Sequence, residues 1–220
     1  MKYIKEYNEY DIDPFNEEDW DEVEPDRAFL TWLKVKYPDE SKWKNIISIE
    51  CNNKNLTDLI GIDKLINLTN LYCNDNQLTE LDITKNIKLI YLYCYHNELT
   101  ELDVTNNIKL IQLYCNHNQL TELDVTKNVN LVNLFCNNNQ LIEIDVRKNI
   151  ESRELSCSVN YLEELNVTKN IKLKTLYCSY NQLTELDITK NIKLIYLFCD
   201  HNQLNGIDSK NNINLKHIEN

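Results

Sequence analysis

The side chains best suited to chemistry in this chain are its thiols, and their spacing is regular. Seven cysteines fall at an interval of 21 residues, Cys73, Cys94, Cys115, Cys136, Cys157, Cys178 and Cys199, with Cys51 22 residues ahead of the first. Thiols could bond, react, hold a metal or pack. An even count permits disulfides, but neighbouring parallel strands in register give poor bridging geometry. A metal site needs thiols or imidazoles clustered at short spacing, and this single column has none. Packing is the expectation: unpaired Cys behaves as a small apolar side chain, and free thiols suit a reducing compartment. The histidines His96, His117 and His201 recur at the interval of the thiols or multiples of it and read as solvated surface groups. "DIDPFNEED" at 11–19 is rich in carboxylates but lacks the Gly and closing Glu of an EF-hand loop. No nucleophile–base set, phosphate loop or metal cluster stands out, so no catalytic residue, metal or cofactor is assigned.

What could place one thiol every 21 residues is a repeat. Taking Cys94 as origin, apolar columns follow at Leu99, Leu102, Val104, Ile108, Leu110 and Leu113. One Asn column runs through Asn76, Asn97, Asn118, Asn139, Asn160, Asn181 and Asn202, and a second through Asn86, Asn107, Asn128, Asn149, Asn170, Asn191 and Asn212. Periods of 20 to 29 with Leu and Asn in fixed columns mark stacked coils. One coil cannot bury its apolar edge, whereas a stack makes a continuous core. All seven apolar columns, Ile108 included, are expected inside, and an inward Asn serves the turning backbone because its amide donates and accepts. Side chains alternate along a strand, so Leu92 and Cys94 point in while Tyr91, Tyr93 and Tyr95 point out.

"LIYLYCYHNEL" at 89–99 resembles the leucine-rich repeat, L-x-x-L-x-L/C-x-x-N-x-L. "LTELDVTNN" at 99–107 half-repeats it, a nesting similar to the bacterial 21-residue class sometimes called IRREKO, and "NLTDLIGIDKLINLTNL" at 55–71 resembles the 22-residue repeats of internalins. The resemblance covers roughly residues 46–218. It implies an α/β solenoid, a right-handed leucine-rich-repeat coil with a parallel β-sheet on its concave face and a short N-terminal helical cap. The expected organisation is an acidic, poorly ordered segment at 1–24, the cap at 25–45, and about eight coils over 46–220.

In the cap, "PDRAFLTWLKVKY" at 25–37 reads as an amphipathic helix with Asp26 as N-cap, an apolar face of Phe29, Leu30, Trp32 and Leu33, and Pro38 as the stop. With Trp43 and Ile46 it would cover the first coil. Residues 6–26 hold eleven acids and no Lys or Arg within a chain of net charge −12. A docking arm for a basic partner is the sharper reading of that stretch and a solvated tail the plainer one. Without a basic patch, nucleic acid is not an expected partner. No run is long enough to span a membrane, and "MKYIKEYNEYDIDPF" lacks the apolar core of a secretory signal, so the cytoplasm is expected, with export the alternative if a signal was removed. At the far end Leu215 and Ile218 continue the register without a capping sequence, which leaves fraying, pairing with another copy or further chain open.

Function on such a scaffold sits on outward sheet positions. The residues before the thiols, Tyr72, Tyr93, Tyr114, Phe135, Ser156, Tyr177 and Phe198, form a ladder at strand spacing. Tyr91, Tyr95, His96, His117, Tyr180 and Tyr196 lie beside it. Tyr, Asn and His with few charges is the composition of a protein-recognition surface, although stacked aromatics also stabilise a sheet that binds nothing. The coil "NIESRELSCSVNYLEEL" at 149–165 departs from the pattern: Ser152 replaces an inward Leu and Ser156 an aromatic. Repeat decay explains it, and so does a pocket between Phe135 and Tyr177. The Glu and Asp columns are expected to be answered by the Lys columns on a solvated back. The function expected is non-catalytic protein binding by a monomer or weak end-to-end dimer, with structural stacking through the last coil as the alternative.

Overall fold

The computed structural model describes residues 28–219. Helix α1, Ala28–Lys36, leads into a 3₁₀ turn at Glu40–Asn45. Nine three-residue strands follow: β1 Ser48–Glu50, β2 Asn70–Tyr72, β3 Tyr91–Tyr93, β4 Gln112–Tyr114, β5 Asn133–Phe135, β6 Glu154–Ser156, β7 Thr175–Tyr177, β8 Tyr196–Phe198 and β9 His217–Glu219. They form one parallel sheet in sequential order, each residue paired with its equivalent one repeat on. The ladder continues past the strands, with Cys94 N–H donating to Tyr114 O at 2.8 Å and His96 N–H to Asn116 O at 3.0 Å.

All eight cysteines are unpaired and buried, at 0–1 % exposure. The Leu92, Leu99, Leu102, Val104 and Leu110 columns are buried with them, each fully buried aliphatic contributing about 1.5–3 kcal/mol. The Ile108 column is a correction. Ile66, Ile87, Ile108, Val129, Ile150, Ile171, Ile192 and Ile213 are 45–88 % exposed. Asn107 and Leu110, on either side of Ile108 in the chain, both turn inward within a tight turn closed by Leu110 N–H to Asn107 O at 3.0 Å. That turn leaves the intervening pair, Ile108 and Lys109, outside.

The two Asn columns do serve the backbone, each differently. Asn97 Nδ2 donates to Cys73 O and Cys94 O, both at 3.0 Å, and its Oδ1 accepts from Leu78 N–H at 3.0 Å. Asn107 Nδ2 donates to Ile83 O at 3.1 Å and Asn86 O at 3.0 Å, but its buried Oδ1 meets no donor, and the same holds from Asn86 to Asn212.

The described part of the expected cap helix runs Ala28–Lys36; residues 25–27, Asp26 among them, lie outside the described residues. Phe29, Trp32, Leu33 and Trp43 are buried, and Ile46 packs against the core. Trp43 Nε1 donates to Tyr37 O at 2.7 Å. Gly61 adopts φ +99°, and a Cβ there would stand 3.0 Å from Leu30 Cδ1, so only glycine suits this approach of first coil and cap. Leu204, Ile207, Leu215 and Ile218 are partly buried in the last coil, with β9 continuing the sheet.

Candidate protein-binding face

Each outward aromatic is set by its place in a strand whose flanking Leu and Cys are pinned in the core. Tyr72, Tyr93, Tyr114 and Phe135 are half-buried and in contact ring to ring. Tyr72–Tyr93 meet edge-on at 5.0 Å, Tyr93–Tyr114 stack at 4.4 Å and 7°, and Tyr114–Phe135 tilt at 4.6 Å. The ladder resumes with Tyr177–Phe198 at 4.9 Å and 13°, then Phe198–His217 at 4.9 Å. His217 was not singled out by the sequence reading; the register of β9 is the signal that finds it. Tyr93 donates its phenol proton to Gln112, and burial, then Tyr114 and Tyr72, push its pKa up to about 12.

A second line of rings stands on the turn that follows each strand. His96, His117, Tyr180 and His201 all have positive φ, from 51° to 55°. His96 and His117 stack face to face at 4.2 Å and 9°, a sandwich rather than a convergence of nitrogens on a metal. Tyr180 and His201 stack at 4.1 Å, and Tyr95 meets His96 edge-on at 5.6 Å. Burial, then the neighbouring His96, holds the His117 pKa below its ordinary value. Tyr91 is half-buried and Tyr196 exposed at the first strand position.

Ser156 interrupts the ladder without opening a cleft around its own side chain. It is 6 % exposed, and its hydroxyl donates to Asn137 Oδ1 at 3.1 Å. Neighbouring polar groups are likewise engaged: Asn133 Nδ2 donates to Glu154 at 2.9 Å, and Ser179 to Asp200. That bond lowers the Asp200 pKa, burial opposes it, and the contact with His201 lowers it by less than burial raises it. In the same coil Ser152 is buried at 2 %, in the place taken by Leu131 and Leu173 in the coils on either side.

The charged columns answer each other across space rather than as close ion pairs, Lys85, Lys127 and Lys190 acting on Asp82, Asp124 and Asp187. The Glu and Asp columns line a long groove of about 1380 Å³; Asp82 and Asp124 within it, and Asp187 further along the column, each bind the hydroxyl and backbone N–H of the Thr two residues on. Those bonds lower their pKa values. Close ion pairs on this side of the coil are Arg147–Asp145 and Lys172–Glu151, formed where Arg147 stands at a Thr position and Glu151 at a Lys position of the repeat.

No family model matches the chain. A stretch of 47 residues is 42 % identical to Internalin J of Listeria monocytogenes serotype 4b, covering 21 % of this chain and 5 % of that protein. Over 81 % of the chain the fold is similar, with TM-score 0.61 and 32 % identity, to a structure of the functional domain of InlJ described as including a cysteine ladder. The chain spans 49 % of that solved domain. Internalin C2 of L. monocytogenes matches at TM-score 0.77 and 23 % identity, over 81 % of this chain and 82 % of that one. A leucine-rich-repeat protein of Leptospira interrogans matches at 0.74 and 26 %, over 80 % and 49 %. A 21-residue coil, a thiol inside every turn and an Asn spine beneath the sheet make this chain a leucine-rich-repeat solenoid similar to those of bacterial internalins, a fold that generally serves as a scaffold for protein interaction.

Proposed function

We propose that this chain is a non-catalytic recognition protein that grips a protein partner with the aromatic ladder of its sheet. The observation that carries this reading is the pair of parallel ring lines, Tyr72 to Phe135 on the strands and His96–His117 on the turns. Rings held by their neighbours lose little entropy on binding and present large apolar area with polar edges. Tyr91, Tyr95, Tyr177, Tyr180, Tyr196 and Phe198 extend the surface, and buried Ser156 supplies a shallow step between its halves. A cytoplasmic setting, in which eight thiols stay reduced, belongs to the same proposal.

The test compares partner capture by the natural chain with that by Tyr93→Ala, Tyr114→Ala and Phe135→Ala variants whose circular dichroism is unchanged. Central aromatic anchors typically cost 2 kcal/mol or more on truncation, about a thirtyfold loss of affinity. Captured proteins held equally by all variants would end the proposal.

A further inference from the structure

The exposed aliphatic column from Ile66 to Ile213 is not accounted for by recognition at the sheet. Eight side chains at the ~4.8 Å strand repeat make a ridge about 34 Å long. Lysines border it on both sides in the chain. Lys127, Lys148 and Lys169 precede their aliphatic by two residues, and Lys88, Lys109 and Lys193 follow theirs by one. Val129 and Ile150 share a depression of about 760 Å³ with Arg147, Lys148 and Lys169. The acids there are Asp145, held by Arg147 at 2.8 Å, and Glu151, held by Lys172 at 2.5 Å. A contiguous apolar stripe of this length marks an interaction surface, and its cationic borders call for an occupant that is both anionic and apolar. A second copy of the ridge would bring lysine against lysine.

The chain itself carries an occupant of that chemistry. Residues 6–26 hold eleven acids and no base, interleaved with Tyr7, Tyr10, Ile12, Phe15, Trp20 and Val23. They lie immediately ahead of α1, whose cap covers the coil where the ridge begins: Asn67, next to Ile66, donates to Lys44 O of the cap at 2.5 Å. Fully extended, those 21 residues reach about 70 Å, twice the ridge. The Glu and Asp groove would repel them, and the sheet face offers rings but few cations.

We propose that the isoleucine–lysine ridge is the docking track for the chain's own acidic segment, residues 6–26, with carboxylates set against the lysine borders and apolar side chains over the aliphatic column. This contact lies off the sheet face and is independent of the partner-binding reading.

The experiment uses the full chain with Tyr10→Cys carrying a nitroxide, since the native thiols are buried. Paramagnetic broadening of amide resonances is then read along the solenoid. Broadening at the amides of residues 108, 129 and 150, relieved by about 1 M salt, where the Debye length falls to ~3 Å, and by Ile108→Asp with Ile150→Asp, is the expected result. These positions are half exposed, so the variants keep the fold, which circular dichroism checks. No broadening, broadening confined to the cap or sheet, or broadening that survives the Asp variants overturns the proposal. So does recovery of the labelled chain on phosphatidylglycerol vesicles with its ridge resonances unbroadened in solution, which assigns the ridge to an anionic lipid surface instead.

Discussion

Asn139 and Asn128 form a matched pair for asking what the Asn spine is worth. Both are buried, at 8 % and 0 % exposure, and replacement by Ala removes the same atoms from each. Asn139 Nδ2 donates to Cys115 O at 3.1 Å and Cys136 O at 3.0 Å, while its Oδ1 accepts from Leu120 N–H at 3.0 Å. Asn128 Nδ2 donates to Val104 O at 2.9 Å and Asn107 O at 3.0 Å, and its Oδ1 meets no donor. Two donated bonds of ordinary length are lost in either case, worth about 1 kcal/mol each, and Asn139 loses a third, long one to Asn137 O at 3.4 Å. Asn139→Ala also strands a buried N–H, at about 1–3 kcal/mol, whereas Asn128→Ala removes a standing penalty of similar size. The expected effects are therefore a loss of about 3–5 kcal/mol for Asn139→Ala and, for Asn128→Ala, a change between about 1 kcal/mol lost and about 1 kcal/mol gained. Urea titration followed by circular dichroism and by tryptophan emission measures both, and coincidence of the two probes checks that the stack unfolds cooperatively. Equal midpoints, or a lower midpoint for Asn128→Ala, would refute the assignment of a donor-satisfied spine beside a donor-starved one.

Burial pushes the Cys94 and Cys157 thiols up to about 12, so the thiolate at pH 8 falls to about one part in ten thousand, against about a quarter for a free thiol. A thiol reagent should count none in the native protein and all eight in guanidinium; early reaction at any position would contradict the inward column. Because the folded His117 pKa is held below its unfolded value near 6.5, the unfolded chain binds more protons between the two values, and stability should fall as pH drops below about 6.5 and level off beneath the folded value. Thermal melts of the natural chain and His117→Asn across that range should diverge on the acid side, and parallel curves would remove the linkage. Ser152→Leu restores an inward column that is Leu in the coils on either side and should raise stability by about 1–2 kcal/mol; a loss instead means that the neighbouring side chains have already closed the space.

The period, the cap and the outward aromatics were legible because each follows from residue type at fixed spacing. Cys at every inner strand face and Trp at 32 and 43 leave few alternatives. Ile108 was misread because an apolar type repeated in register looks the same inside a core as on a ridge. What exposes it is the turn that sends both Asn107 and Leu110 inward. The two Asn columns are alike in letters, and only the backbone around them decides that Oδ1 of Asn97 finds Leu78 N–H while Oδ1 of Asn107 finds nothing. Ser156 was legible as a break in the rings but not as a closed one, since its hydroxyl bond to Asn137 depends on a rotamer in the preceding coil. The Lys and Asp columns were legible as opposite charges, but not that Thr hydroxyls and backbone N–H groups, rather than lysines, are the closest partners of the Asp carboxylates.

The left-handed turn after each strand has a consequence for engineering. Where glycine is the natural tenant, this chain keeps His, Asn, Asp, Tyr and, at φ 54°, the β-branched Val159. Such a backbone costs a non-glycine residue about 1–2 kcal/mol, and most where the side chain branches at Cβ. Val159→Gly should therefore make the molecule hardier, while the same exchange at His96 or His117 would trade heat resistance for two of the rings offered to a partner. Thermotolerance and grip are set against each other at that single position wherever it carries a ring.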